Sequence, residues 1–104
     1  MRITGPHFAG PPADPEAAKA LLRHAVDRGV TFIDTADSYG PGASEELIRE
    51  ALHPYPSELV IATKAGYTRE GPPDYGWGFG GRPERLKRCC DESLSRLGLD
   101  VLDI

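Results

Sequence analysis

Basic clusters, membrane-length apolar runs and cysteines at metal-ligand spacing are all missing from this chain of 104 residues. Its net charge is −4, and its Lys and Arg side chains are spread out with no cluster that could follow a phosphate backbone, so nucleic acid is not an expected partner. No apolar stretch approaches the roughly 20 residues needed to cross a bilayer, and the N-terminus carries no basic region followed by an apolar one. A cytoplasmic location and no membrane partner are the expectations. Cysteine is scarce: Cys89 and Cys90 are neighbours in a predicted helix, where their side chains diverge by about 100° and a mutual disulfide would be strained. They read as reduced thiols. His7, His24 and His53 are scattered, which speaks against a metal site.

What is present describes an ordinary folded sequence. An apolar fraction of 39% against 27% charged residues separates it from disordered chains. The length suits one domain, residues 1–104, which buries only roughly 60–70% of the surface its unfolded chain exposes. A small stability margin follows.

Periodicity divides the chain into alternating elements. "DPEAAKALLRHAVDRG" places Asp14 as N-cap, Pro15 at the first helical position, and Ala18, Leu21, Leu22, Ala25 and Val26 on one face, with Gly29 closing the helix. "VTFID", residues 30–34, is β-branched and aromatic, as expected of a parallel strand covered on both faces. After the turn "SYGPGA", Ser44 is positioned to cap a short helix carrying Leu47, Ile48, Ala51 and Leu52 inward, with Glu45 and Glu46 near its positive end. "LVIATK", residues 59–64, reads as a second strand. A Gly- and Pro-rich loop over residues 65–82 leads into a third helix through Pro83. Its expected stripe is Leu86, Cys90, Leu94 and Leu97, with Gly98 as the stop. "LDVLDI" reads as a third strand. The pattern αβαβαβ implies an α/β fold with parallel βαβ units and right-handed crossovers.

Chemistry in such folds gathers at the C-terminal ends of the strands. Asp34 ends the first strand and Lys64 the second, and consecutive parallel strands are usually neighbours, so carboxylate and ammonium are expected within reach of each other. Tyr39 follows in the loop after Asp34. A free tyrosine titrates near about 10, and an adjacent ammonium favours its phenolate. The expected trio is therefore Tyr39 as general acid, Lys64 lowering its pKa, and Asp34 holding Lys64, a set suited to protonating a carbonyl oxygen while a hydride reaches the carbon.

With those residues in view, "GVTFIDTADSYGPGASEELIREAL" closely resembles the signature segment of the aldo/keto reductases. "LVIATKAG" resembles their lysine-bearing segment, and "RPERLKRCCDESLSRLGLDVLDI" the stretch leading to their histidine-bearing strand. The resemblance implies a (β/α)8 TIM barrel, of which this chain would be the first strand–helix units, and NADPH-dependent reduction of a small-molecule carbonyl. It assigns the family's catalytic aspartate, tyrosine and lysine to Asp34, Tyr39 and Lys64, and places the same three at the nicotinamide end of the cofactor. The family's histidine would lie beyond Ile104. The resemblance thus implies a truncated domain, with self-association or a complementing chain as its route to a complete site.

Each residue also has a plainer reading. Asp34 alone could cap a turn, Lys64 could be a solvated charge, and Tyr39 could be a packing residue with a wet hydroxyl. Asp37 reads as a turn-ordering acid, and His53 as a loop residue remote from the strand ends. Tyr75, Trp77 and Phe79, spaced among glycines, read either as an aromatic lid or as an irregular connection. Two non-reductase alternatives remain: an interaction module pairing through open sheet edges, and a lyase using Lys64 as a Schiff-base nucleophile.

Overall fold

The computed structural model describes residues 3–68 and 78–104. Asp14 opens helix α1 (Pro15–Asp27) by accepting a hydrogen bond from the Ala17 amide at 2.9 Å, and Pro15 occupies the first turn, where its missing N–H costs nothing. Strand β1 (Phe32–Asp34) follows. Helix α2 (Ala43–Leu52) carries the chain across to β2 (Val60–Ala62), and the two strands pair in parallel with Ile33 opposite Ile61 and Asp34 opposite Ala62. This β1–α2–β2 unit is a building block of a (β/α)8 barrel. A short antiparallel pair, β3 (Tyr67–Thr68) with β4 (Gly78–Phe79), precedes helix α3 (Pro83–Leu97).

The helices cover one face of the sheet, with α2 between α1 and α3. Leu22, Ile48, Ile61 and Leu97 form the centre of the core with Ile3, Leu47, Leu52 and Leu59. Alternation along β1 turns Ile33 toward this core and leaves Phe32 and Asp34 exposed on the opposite face. The expectation of a strand covered on both faces is thus corrected, because no described element lies over the second face, and Phe32 is 51% exposed.

Other expectations shift for local reasons. Ser44 does not cap α2; Gly42 does, at φ 83°, a left-handed conformation that Gly adopts without steric cost, while Ser44 is buried inside the first turn. The buried residues of α3 are Cys89, Ser93 and Leu97, whereas Leu86 and Cys90 are exposed. Cys89 meets Asp37 in the turn before α2, a polar contact that a search for large apolar residues passes over. Leu21 is 44% exposed because α2 covers only the Ala18 and Leu22 side of α1. The hairpin of β3 and β4 lies inside the segment expected to be irregular, with the Tyr67 and Phe79 rings 5.4 Å apart between centroids. Of the three aromatics in the expected lid, Phe79 is described; Tyr75 and Trp77 lie outside the described residues.

The third strand expected at "LDVLDI" does not form. Residues 99–104 reach β2 through one backbone bond, from the Thr63 amide to the Ile104 carbonyl at 3.1 Å, and a strand requires a repeated ladder. Leu99 and Leu102 nevertheless pack on the core. Tyr55 secures the end of α3 by donating from its hydroxyl to the Leu97 carbonyl at 2.7 Å, and burial pushes that phenol up to about 12. Among the described residues, no helix is long and apolar enough to cross a membrane.

The contrast between Leu21 and Leu22 is directly testable. Leu22→Ala should lower unfolding stability by about 2–5 kcal/mol, the usual range for a fully buried leucine, and Leu21→Ala by less than about 1 kcal/mol. Urea midpoints compare the two, and equal losses would show that α1 buries a different face.

Candidate active site

Asp34 closes β1, and Lys64 stands two residues past the end of β2, so the parallel pairing brings their side chains together above the same sheet edge. Lys64 Nζ donates to Asp34 Oδ2 at 2.6 Å and to the Thr35 carbonyl at 2.7 Å. The same ammonium lies 5.6 Å from the centre of the Tyr39 ring. Both partners of the ion pair are about half exposed, at 49% and 58%. A pair so wet contributes only about 0–1 kcal/mol to stability. Its consequence is orientation: the ammonium is held between carboxylate, carbonyl and phenol ring.

Tyr39 is placed by its loop. Its amide donates to the Ala36 carbonyl at 3.1 Å and its carbonyl accepts from the Ser44 amide at 3.1 Å, joining the turn to α2. Gly40 follows at φ 68°, where an added Cβ would stand 2.6 Å from the Gly10 carbonyl oxygen, so the turn admits no side chain there. The Gly40 amide donates to the Phe8 carbonyl at 2.8 Å, and the Phe8 ring stacks on Tyr39 with centroids 4.9 Å apart. Phe8 is thus a wall of the site that motif reading missed, because no local pattern links residue 8 to residue 39.

A cavity of about 440 Å³ opens beside these groups, lined by Phe8, Ala36, Asp37, Ser38, Tyr39, Lys64, Ala65 and Tyr67. Three aromatic rings and one ammonium line it, a combination suited to a flat polarised ligand. A second cavity of about 530 Å³ shares Phe8 and Tyr39 with the first, adds Asp34, and runs along β1 toward Ile3 and Leu22. His53, which follows the last residue of α2, sits edge-on to Tyr55, 5.4 Å between centroids, and lines neither cavity. Among the described residues, no three His, Cys, Asp or Glu side chains gather where they could hold a metal ion.

Behind Tyr39 the polar groups become buried. Asp37 donates its amide to the Lys64 carbonyl at 3.0 Å, so this acid braces the lysine segment as well as its own turn. Burial pushes its carboxyl up, opposed by a hydrogen bond with the Cys89 thiol, while Glu45 adds to the rise and Arg96 counters it. The Cys89 thiol is itself pushed up, by burial first and then by its bond to Asp37. Cys89 and Cys90 are both free thiols, one buried and one exposed. Glu45 is wholly buried; it accepts from Thr63 Oγ1 at 2.6 Å and from Arg96 Nε at 2.6 Å. Burial acts to lower the Arg96 guanidinium, but the bond to Glu45 and its charge outweigh that, and the net direction is upward.

Asp37 therefore sets a pH dependence of known sign. A carboxyl whose folded value is raised contributes stability that is complete below the ordinary carboxylate range and is lost as pH rises through the folded value. Asp37→Asn cannot ionise, so relative to the parent it should gain stability between about pH 3 and pH 7. Urea unfolding at both pH values measures this, and a constant difference would contradict it.

Comparison with known proteins gives a consistent result. Residues 1–104 match the model of the aldo/keto reductase family. Pyridoxine 4-dehydrogenase of Escherichia coli strain K12 is 44% identical over 104 residues, which are 100% of this chain and 36% of that protein. Among solved structures, the holo form of an aldo-keto reductase from Bacillus halodurans superposes with a TM-score of 0.76 at 28% identity, covering 86% of this chain and 30% of its own. An aldo-keto reductase from Klebsiella pneumoniae in complex with NADPH gives a TM-score of 0.66 at 30% identity, covering 86% of this chain and 28% of its own. The chain thus spans about a third of the length of the relatives it matches.

Proposed function

The chain belongs to the aldo/keto reductase family, with the fold of a partial (β/α)8 barrel, and from that we propose that it carries the catalytic residues of an NADPH-dependent carbonyl reductase. One observation carries the reading: Lys64 Nζ stands 2.6 Å from Asp34 and 5.6 Å from the centre of the Tyr39 ring, at the C-terminal ends of adjacent parallel strands. In it, residues 1–104 are the first strand–helix units of the reductase domain.

The roles follow from the contacts. Tyr39 donates the proton to the carbonyl oxygen, and Lys64 stabilises the negative charge left on the phenol oxygen. Asp34 and the Thr35 carbonyl aim Lys64 by accepting from its Nζ, which also favours this reading over a lyase, because a Schiff-base nucleophile needs a free amine lone pair. NADPH, when bound, supplies the hydride. Asp34, Tyr39 and Lys64 fit its nicotinamide end: Tyr39 and Lys64 line that cavity with the rings of Phe8 and Tyr67, and Asp34 joins them through its ion pair with Lys64. Lys64 is the one basic side chain lining that cavity among the described residues. The aromatic walls favour a planar aldehyde or ketone as substrate.

Titrating the chain with NADPH while following nicotinamide emission tests the cofactor half, and saturable binding is the expected outcome. In an assembly that reduces an aromatic aldehyde such as benzaldehyde, Tyr39→Phe should lower kcat by about 10²–10⁴-fold, the range for loss of a general acid. Undiminished turnover in that variant would remove Tyr39 from the mechanism.

A second reading rests on the uncovered face of β1. Val30 and Phe32 are 40% and 51% exposed there, a surface on which another copy or a complementing chain would bury apolar area. Size-exclusion chromatography with light scattering should then show a dimer or larger species, and Phe32→Glu should return it to monomer. A parent chain that stays monomeric across concentrations would reject self-association.

A further inference from the structure

Thr35 follows Asp34 and Thr63 precedes Lys64, so these two threonines flank the ion pair on its two strands. Both are gripped from one place. Thr35 Oγ1 donates to Ser44 Oγ at 2.8 Å, and Thr63 Oγ1 donates to Glu45 Oε1 at 2.6 Å. Ser44 and Glu45 are consecutive buried residues in the first turn of α2. The other carboxylate oxygen, Glu45 Oε2, accepts from Arg96 Nε on α3 at 2.6 Å, and Arg96 NH2 lies 3.5 Å from Ser93 Oγ.

We propose that Ser44 and Glu45, backed by Arg96, are positioning residues that set the spacing between Asp34 and Lys64. The proposal rests on the reading of Asp34 and Lys64 as a catalytic pair. Backbone bonds run on past the three paired residues of β1 and β2, from the Thr35 amide to the Ala62 carbonyl at 2.8 Å and from the Asp37 amide to the Lys64 carbonyl at 3.0 Å; they fix the register and leave the approach of the two side chains to contacts from outside the sheet. The ion pair is half exposed and too weak to hold its own geometry. The buried Glu45 is different. With no solvent to stand in for a lost partner, its carboxylate must keep both Thr63 and Arg96 at bonding distance, and that requirement holds the backbone just before Lys64 in place. Displacements of about 1 Å are enough to disable such a site.

The test reads Lys64 itself in the full chain. Acetic anhydride labelling of Lys64, quantified by mass spectrometry against the exposed Lys87, reports how firmly the ammonium is engaged. In the double variant E45L/R96L both charges leave together, which preserves folding better than removing one. Lys64 labelling should rise by about 2- to 10-fold, the factor that corresponds to a hydrogen bond of 0.5–1.5 kcal/mol. Thr63→Val, which deletes only the donating hydroxyl, should give a rise in the same direction. The double variant E45Q/R96L also removes both charges but keeps an acceptor for Thr63, and should stay within about twofold of the parent.

Unchanged Lys64 labelling in a folded E45L/R96L or Thr63→Val chain would overturn the proposal. So would an equal rise in E45Q/R96L, since that would assign the effect to charge and not to the hold on Thr63. Labelling requires neither cofactor nor turnover. A chain that fails to bind NADPH therefore rejects the functional reading separately from this one.

Discussion

A carboxylate with no exposed surface governs how this chain can pack. Glu45 sits in the first turn of the central helix, and leaving its charge in the core unpaired would cost several kcal/mol. The structure satisfies it from two directions, with Thr63 at the end of β2 and Arg96 near the end of α3. Helix, strand and second helix are thereby joined at one atom group. Apolar burial alone could tolerate small slips of α3 along α2, but a buried ion pair permits one placement. The helix dipole adds to this, because Glu45 lies at the positive end of α2, where negative charge is favoured.

That placement carries through to the site. With α2 fixed, Ser44 holds the residue after Asp34 and Glu45 the residue before Lys64, so the strand ends meet with a carboxylate and an ammonium 2.6 Å apart. The division of labour between the two ion pairs follows from solvent. Glu45–Arg96, with its carboxylate wholly buried and Arg96 only 22% exposed, sets structure; Asp34–Lys64, half exposed, contributes little to stability. Tyr39 is kept beside Lys64 by a turn that Gly40 makes possible and by the stacked ring of Phe8.

Much of this was legible because it was local. Asp14, Pro15 and Gly98 mark helix ends by backbone chemistry that operates within one turn, and the helices start and stop where those residues put them. Asp34 and Lys64 could be paired from topology, since adjacent parallel strands align their C-terminal ends. Contacts across long sequence separations were not legible. Glu45 reads from sequence as a dipole-favoured acid, and nothing near it announces Thr63, 18 residues on, or Arg96, 51 residues on. Small residues misled for a related reason: Cys89 and Ser93 are buried, Cys89 against Asp37, while apolarity pointed to Leu86 and Cys90. Tyr67 and Phe79 pair across a hairpin whose strands are two residues each, too short for alternation to register.

The uncovered face of β1 connects fold and function. Asp34 and Phe32 share that face, so the surface that exposes an apolar ring to water is also the one that presents the carboxylate. In a closed (β/α)8 barrel this face points inward, where alternate strands fill the interior with side chains. Closing it would remove Phe32 from water and lower the dielectric around the Asp34–Lys64 pair at the same time. Coulombic attraction at a given distance rises several-fold between a wet and a partly buried environment. Whatever covers Phe32 therefore also strengthens the hold of Asp34 on Lys64, the ammonium that the proposed mechanism sets beside Tyr39.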